Sequence, residues 1–432
     1  MTKKRKKLNF DTFLADWTWN IPESEIRRLL RFQGRFYFAG GKPGCLPIET
    51  FSHILRELVD SHEKKWACDD PDLQLEVLED YNYGETGGKQ YLKEVLARRL
   101  KQKEELNVTA DDITITSGSQ QAIYALLDCI INPGDFIVTP RPAYLGFLGP
   151  AVKLGANVVT VPTDLEGIIP EALDDCMETC LCDYHRIPKI IYLVAYSDNP
   201  KGTTLPEKRK SAIYDIAEKY NCLIIDDEAY KSIQFNSPDM KIKTLKSYDK
   251  ENDRVAYLST TSKEAAVFRL GYSVIPRPLQ NQLIKAKGYL DLCTPSLLQR
   301  IAAIYYDKYI DDALKQTLPV YKVRRDAMVQ AIDDYFPEGN FRRPTGGLFV
   351  WWEAMNQLFD SGKFLEEKIM KEDILYVPSQ AFYPVRGLAY KNGKIVSNIV
   401  HRNGMRLCFS FTDKEVISEG MEKLGIILSE YL

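Results

Sequence analysis

The chain has 432 residues, of which 45% are hydrophobic and 27% charged, the balance of an ordinary globular protein rather than a disordered or fibrous one. At roughly 150 residues per domain it can hold two or three domains, and it can bury a core without disulfide staples. A formal net charge of −3 gives no reason to expect a nucleic-acid partner and favours small-molecule chemistry.

The chain opens on the basic run Met1-Thr2-Lys3-Lys4-Arg5-Lys6-Lys7, which reads as a solvated end. Leu8 to Asn20 includes Asp11 and Asp16 and lacks the apolar core of a secretion signal. No apolar run long enough to cross a bilayer follows, so a cytoplasmic protein without a membrane partner is expected. Apolar runs rich in Val and Ile then recur: Ile113 to Thr116, Phe136 to Val138, Asn157 to Val161, Lys189 to Val194, Cys222 to Ile225, Val255 to Leu258 and Gly271 to Ile275. Such runs suit strands covered on both faces. Helical patterns at Gln120 to Ile131 and Pro206 to Tyr220 lie between them. This alternation predicts an α/β fold of three layers around a mainly parallel sheet. Further on, Asp307 to Tyr335 reads as one long helix interrupted at Pro319. Phe349 to Trp352 and Arg406 to Phe411 then read as strands in an α+β texture. A large domain is placed at 48–305. A smaller one is built from 306–432 and joined by 1–47.

The nine cysteines cannot all pair within the chain and read as reduced thiols. Cys176, Cys180 and Cys182 near His185 lack the C-x2-C spacing of a structural zinc site, so no metal is expected there.

The chemistry-bearing motifs cluster at strand ends. Lys263 follows Ser259-Thr260-Thr261-Ser262 directly and precedes Arg269 by six residues. A lysine partly desolvated at a strand end has a lowered pKa and a free amine for Schiff-base chemistry. The hydroxyls of Thr260 and Ser262 with the Arg269 guanidinium suit a phosphate. The same lysine reads equally as a solvated loop residue. Asp226-Asp227-Glu228 ends an apolar strand, where a carboxylate can hold a protonated ring nitrogen, a metal ion or a helix N-terminus; magnesium is a fair rival at this point. Ser117-Gly118-Ser119-Gln120 passes from strand to helix through small residues and offers backbone N–H groups to an anion. It matches neither a Walker loop nor a dinucleotide fingerprint. Tyr144 follows Pro140-Arg141-Pro142-Ala143 and suits stacking on a planar ring. Asn199-Pro200 forms a turn with an amide to offer, and Arg406 opens an apolar strand, where it can pair with a carboxylate.

Taken in order, Tyr83, Ser117-Gly118-Ser119, Tyr144, Asn199, Asp227-x-x-Tyr230, Ser262-Lys263, Arg269 and Arg406 resemble the fold-type-I pyridoxal-phosphate aminotransferases over about 36–430. The resemblance is nearest to the kynurenine/2-aminoadipate branch. It is carried there by Phe38-Ala39-Gly40-Gly41-Lys42-Pro43, Asp291-Leu292-Cys293-Thr294-Pro295 and Pro344 to Trp351. It implies pyridoxal 5'-phosphate as cofactor and a ping-pong transfer of an amino group from an L-amino acid to a 2-oxo acid, 2-oxoglutarate being the expected acceptor. Lys263 would bond the cofactor and move the substrate proton, and Asp227 would pair with the ring nitrogen. Tyr230 and Asn199 would hold the phenolate oxygen, and Tyr144 would stack on the ring. Ser119, Gln120, Thr260, Ser262 and Arg269 would hold the phosphate. Arg406, with Asn199 and the backbone at Gly41, would take the substrate carboxylate. Family members are homodimers, with Tyr83 expected to reach the neighbour's phosphate.

A lyase or decarboxylase of the same fold reuses these positions and is the alternative; a non-enzymatic sensor is a more distant one. The chain departs from the family in three places. The segment from Lys263 to Arg269 is one residue shorter and lacks the usual glycine, so Arg269 is expected to sit differently. Lys201 replaces the threonine of Asn-Pro-Thr-Gly, and Asp198 precedes Asn199. Arg27, Arg28 and Arg31 are candidates to receive a second substrate carboxylate if they face the pocket.

Overall fold

The computed structural model describes residues 12–32, 34–235 and 241–432; the basic run at 1–7 lies outside them. Nine strands form the central sheet: β1 (Ile113–Thr116), β2 (Phe136–Pro140), β3 (Asn157–Val161), β4 (Ile190–Leu193), β5 (Leu223–Asp227), β6 (Val255–Thr260), β7 (Gly271–Val274), β8 (Leu388–Lys391) and β9 (Lys394–Ser397). Their spatial order is β9-β8-β3-β2-β4-β5-β6-β7-β1. From β8 to β6 neighbouring strands run parallel, β7 runs antiparallel to both β6 and β1, and β9 closes a hairpin on β8.

The Val- and Ile-rich strands alternate faces, which builds the three layers. Ile137, Val158, Ile190, Ile225 and Ala256 share one core with Ile123 and Leu126 of helix Ser119–Ile130, Phe147 of helix Leu145–Lys153 and Leu283 of helix Arg277–Asp291. Their neighbours Val138, Val159, Ile191, Leu193, Ile224 and Val255 share another with Leu173 and Met177 of helix Pro170–Tyr184 and Ile213 of helix Glu207–Lys219.

The C-terminal part forms a second, antiparallel sheet of Gly339–Phe341, Phe349–Ala354, Gly404–Cys408 and Val377–Pro378, in that spatial order. Phe36–Tyr37 pairs in parallel with Ile374–Leu375, tying the N-terminal segment to this half of the chain. The hairpin of β8 and β9 instead joins the central sheet beside β3, so residues beyond 305 contribute to both sheets.

The long helix differs from the expectation. It divides at Tyr309, between Ser296–Lys308 and Ile310–Tyr335, and Pro319 lies inside the second piece. Pro319 costs one backbone hydrogen bond, but the helix carries through it on buried contacts either side at Leu318 and Tyr321. All nine cysteines are free. No group of His, Cys, Asp or Glu placed to hold a metal occurs among the described residues, and none of their helices is long and apolar enough to cross a membrane.

Candidate active site

The carboxyl ends of β1, β2, β4, β5 and β6 open on one side of the sheet, and the amino end of the antiparallel β7 joins them there. Pairing of Gly271 with both Thr260 and Thr116 aligns the segments that follow β6 and β1 with the one that precedes β7. A cavity of about 160 Å³ lies at this edge, lined by Gly118, Ser119, Gln120, Tyr144, Asn199, Asp227, Tyr230, Thr260, Ser262, Lys263 and Arg269. It opens toward a larger one of about 1150 Å³ that shares Gln120, Tyr144, Asn199, Tyr230 and Lys263 and adds Gly41 and Arg406. Twelve of the thirteen residues expected at the site therefore meet. The exception is Tyr83, which lines neither cavity and is 79% exposed.

One pole of the small cavity is built for an anion. Gly118, at φ +80°, turns the chain into helix Ser119–Ile130, whose first N–H groups have no partner within the helix. Arg269 donates to Ser262 Oγ at 2.9 Å, and Thr260 Oγ1 donates to the same oxygen at 3.0 Å. The short segment after Lys263 does not withdraw Arg269. A single 3₁₀ turn over Ala266–Phe268 is followed by left-handed backbone at Arg269, φ +51°, which returns the guanidinium to the cavity. Gly271 lies beneath this turn. A Cβ there would stand 2.5 Å from the Gly118 carbonyl carbon and 2.6 Å from the Ser119 nitrogen, so only glycine lets the strand pass.

The other pole is a carboxylate. Asp227 Oδ2 accepts the Tyr192 hydroxyl at 2.9 Å, while its buried Oδ1 has no partner among the described residues. Burial raises the Asp227 carboxyl to about 6, against the Tyr192 hydrogen bond, which lowers it. The Asp226-Asp227-Glu228 run does not converge on one ion, because strand alternation sends its neighbours to the opposite face. There Asp226 accepts the Leu245 N–H at 3.0 Å, with Lys210 nearby. Tyr192 escaped the sequence reading; its signal is a phenol inside the otherwise aliphatic Ile190-Ile191-Tyr192-Leu193. Its ring stacks on Phe147 with centroids 3.8 Å apart and planes at 3°, which fixes the hydroxyl under Asp227.

Between the poles, Lys263 Nζ donates to the Gly41 carbonyl at 3.2 Å and sits 4.9 Å over the Tyr230 ring. Burial lowers its pKa and nearby Arg406 adds to this, while the Tyr144 hydroxyl opposes it. Burial pushes the Tyr144 phenol up to about 12 and raises Tyr230 as well; for Tyr230 the Arg406 charge and the Asn199 hydrogen bond oppose the shift. Gln120 donates to the Gly146 carbonyl at 2.6 Å, and its Oε1 accepts from the Tyr144 hydroxyl at 3.3 Å, fixing that ring.

Arg406 enters from the second sheet and is fully buried. It donates to Asn199 Oδ1 at 2.9 Å and to the carbonyls of Ala39 and Gly40 at 2.9 and 2.6 Å, and its guanidinium lies 4.1 Å from the Phe349 ring centroid. Its Nε finds no hydrogen-bond partner among the described residues. Among the described residues no acid neutralises it: the three acceptors are all uncharged, leaving a buried positive charge facing the larger cavity.

The donor set fits pyridoxal phosphate. An anion pole and an unpartnered carboxylate face each other across a cavity with an amine between them, complementing a molecule with a phosphate at one end and a protonated ring nitrogen at the other.

The comparisons with known proteins agree with this geometry. The family model described as "Aminotransferase class I and II" matches residues 70–423. The aromatic-amino-acid aminotransferase 1 of Thermococcus litoralis is 30% identical, over 98% of this chain and 95% of that protein. The mitochondrial kynurenine/alpha-aminoadipate aminotransferase of Bos taurus is 30% identical over 63% of this chain and 66% of its own. The crystal structure of the Pyrococcus horikoshii kynurenine aminotransferase superposes with a TM-score of 0.85 at 30% identity, covering 98% of each chain.

Proposed function

The chain belongs to the class I and II aminotransferases, pyridoxal-phosphate enzymes of fold type I, and on that premise we propose how its own residues divide the work of the transfer. The observation that carries the proposal is the meeting of Lys263, Asp227, Arg269 and Arg406 around one continuous space. The aminotransferase names of the relatives favour amino-group transfer over the lyase and decarboxylase alternatives.

Bound here, pyridoxal phosphate supplies a carbonyl that bonds to amines and a ring that accepts electrons. The helix start at Ser119 and Gln120, with Thr260, Ser262 and Arg269, would hold its phosphate, and the Gln120 side chain fixes Tyr144. Asp227 would keep the ring nitrogen protonated, and Tyr230 and Asn199 would hydrogen-bond the ring oxygen. Arg406 orients the substrate α-carboxylate beside Gly41. Lys263, its amine freed by burial, would take the proton from the substrate Cα and hold it for return.

The larger cavity suggests a substrate class. Arg28 also lines the cavity but is engaged by Glu25 at 2.6 Å and Glu366 at 3.1 Å, while Arg31 lies outside the lining and is engaged by Glu23 at 2.7 Å. Arg27 lines the cavity with no ionic or hydrogen-bonding partner among the described residues. We assign it to a second carboxylate, as on a dicarboxylic amino acid or 2-oxoglutarate. Arg27→Ala is expected to raise KM for a dicarboxylate about tenfold and much less for a neutral amino acid; equal losses for both would refute the assignment.

The homodimer belongs to the same proposal. Arg269 stands exposed at the site, while Tyr83 and Tyr289 are 79% and 87% exposed, a surface that a second copy would cover. Nine free thiols suit the cytoplasm.

The test is the visible spectrum of purified protein. A yellow band that Lys263→Ala removes, and that one L-amino acid bleaches to the amine form of the cofactor, is the expected outcome and identifies the donor. A band indifferent to every amino acid would speak against transfer.

A further inference from the structure

Asp198 plays no part in the steps above, yet the turn carrying Asn199 closes on it. Its Oδ1 accepts the Thr203 backbone N–H at 2.6 Å, its own N–H donates to the Thr203 carbonyl at 2.9 Å, and its carbonyl accepts the Gly202 N–H at 2.8 Å. The loop is pinned from outside as well. Lys201 Nζ donates to Thr163 Oγ1 at 3.2 Å and to the Asp164 carbonyl at 3.3 Å, leading away from the site. At Gly202 a Cβ would stand 2.6 Å from the Phe349 carbonyl oxygen, so the turn presses directly on a strand of the second sheet. That strand, Phe349–Ala354, pairs Trp351 with Arg406. The turn is therefore wedged between the end of β4 and the strand beside Arg406, and Asn199, 4% exposed, projects from it onto the guanidinium.

A turn in this place needs rigidity more than chemistry. Arg406 is buried without a carboxylate partner, so the direction it faces is set by neutral acceptors, and Asn199 is the only side chain among them. A small rotation of the Asn199 amide would turn the guanidinium away from an incoming carboxylate. Within the turn the Asp198 carboxylate ties residues 198 and 203 together, and just outside it the Thr204 hydroxyl accepts the Ser197 N–H at 3.0 Å.

We propose that Asp198 is a positioning residue for carboxylate recognition: its side chain, by accepting the Thr203 N–H, holds Asn199 against Arg406 and so sets how tightly both amino-acid and oxo-acid substrates are gripped. This rests on the reading of Arg406 as the carboxylate clamp.

The test compares holoenzymes carrying Asp198→Ala, Asp198→Asn, Asp198→Glu and Arg406→Gln, by kcat and KM for the donor and the acceptor and by the cofactor absorption band. Asp198→Ala is expected to raise both KM values about tenfold, the effect of one lost hydrogen bond, with kcat within about threefold and the band unchanged. Asp198→Asn keeps an acceptor oxygen in place and restores KM to within about threefold. Unchanged KM in Asp198→Ala would overturn the inference, as would an Asn variant no better than Ala. If the Ala variant yields no folded holoenzyme, the comparison of Asn with Glu decides. Glu keeps the charge but displaces the acceptor, so the Asn variant should have the lower KM, and the reverse order would overturn the inference. Arg406→Gln separates the two readings. If it leaves KM unchanged the clamp itself is wrong, whereas a large rise beside an indifferent Asp198→Ala removes Asp198 alone.

Discussion

At the anion pole of the cavity, Thr260, Ser262 and Arg269 reach one another across two to seven residues of chain. At the carboxylate clamp, Arg406 meets Asn199 and Gly40 across 207 and 366 residues. The first pole is assembled by local geometry, a short turn and a helix start, and stays open to water at Arg269. The second is assembled only by the packing of two sheets and is fully buried at Arg406. Charges at the open pole are screened, while those at the closed one act through a low dielectric. Losses at the clamp are therefore expected to be larger, and to fall on substrate rather than cofactor.

The largest effect is expected between the poles, at Asp227. Asp227→Asn should cost at least about a hundredfold in kcat, because a neutral amide cannot hold the ring nitrogen protonated. The same change should stabilise the cofactor-free protein. With its carboxyl raised to about 6 by burial, folded Asp227 keeps a proton that the unfolded chain releases nearer ~4. Stability from this group is thus present at low pH and lost as pH climbs from about 4 to about 6. Above that window Asp227→Asn should melt about 1–3 °C higher; a lower melting temperature at pH 8 would contradict the burial argument. Next comes Arg406→Gln, expected to raise KM about a hundredfold with cofactor affinity nearly unchanged. Arg269→Gln should do the converse, weakening cofactor binding about tenfold in an absorbance titration with little change in KM. If either variant moved both quantities alike, the two poles would not be independent. Smallest is Tyr192→Phe, which removes one hydrogen bond from Asp227 and should weaken cofactor binding roughly threefold.

The same contrast explains what could be read in advance. The anion pole lies in two short segments whose residue types announce their chemistry. Arg406 carries only a weak local signal, an arginine on an apolar strand; its place in an ordered series of residues is what points to it. The choice among Asp226, Asp227 and Glu228 was ambiguous as composition and became definite once strand alternation assigned them to opposite faces. Tyr192 was hidden because a strand-buried tyrosine reads as core until its hydroxyl is given a partner. The hairpin Leu388–Ser397 was missed although Asn392-Gly393 marks it, both residues having positive φ in a two-residue turn. The division at Tyr309 had no proline or glycine to announce it.

Gly271 has a consequence for how this protein tolerates change. It has no side chain and makes no contact a substrate would feel, yet every other amino acid would drive a carbon into the Gly118–Ser119 backbone. A saturation scan scored on cofactor retention should therefore rank position 271 with Arg269. The room for an anion here depends on an atom that is missing as much as on the charges around it, and any drift in sequence at this position is paid first by the cofactor.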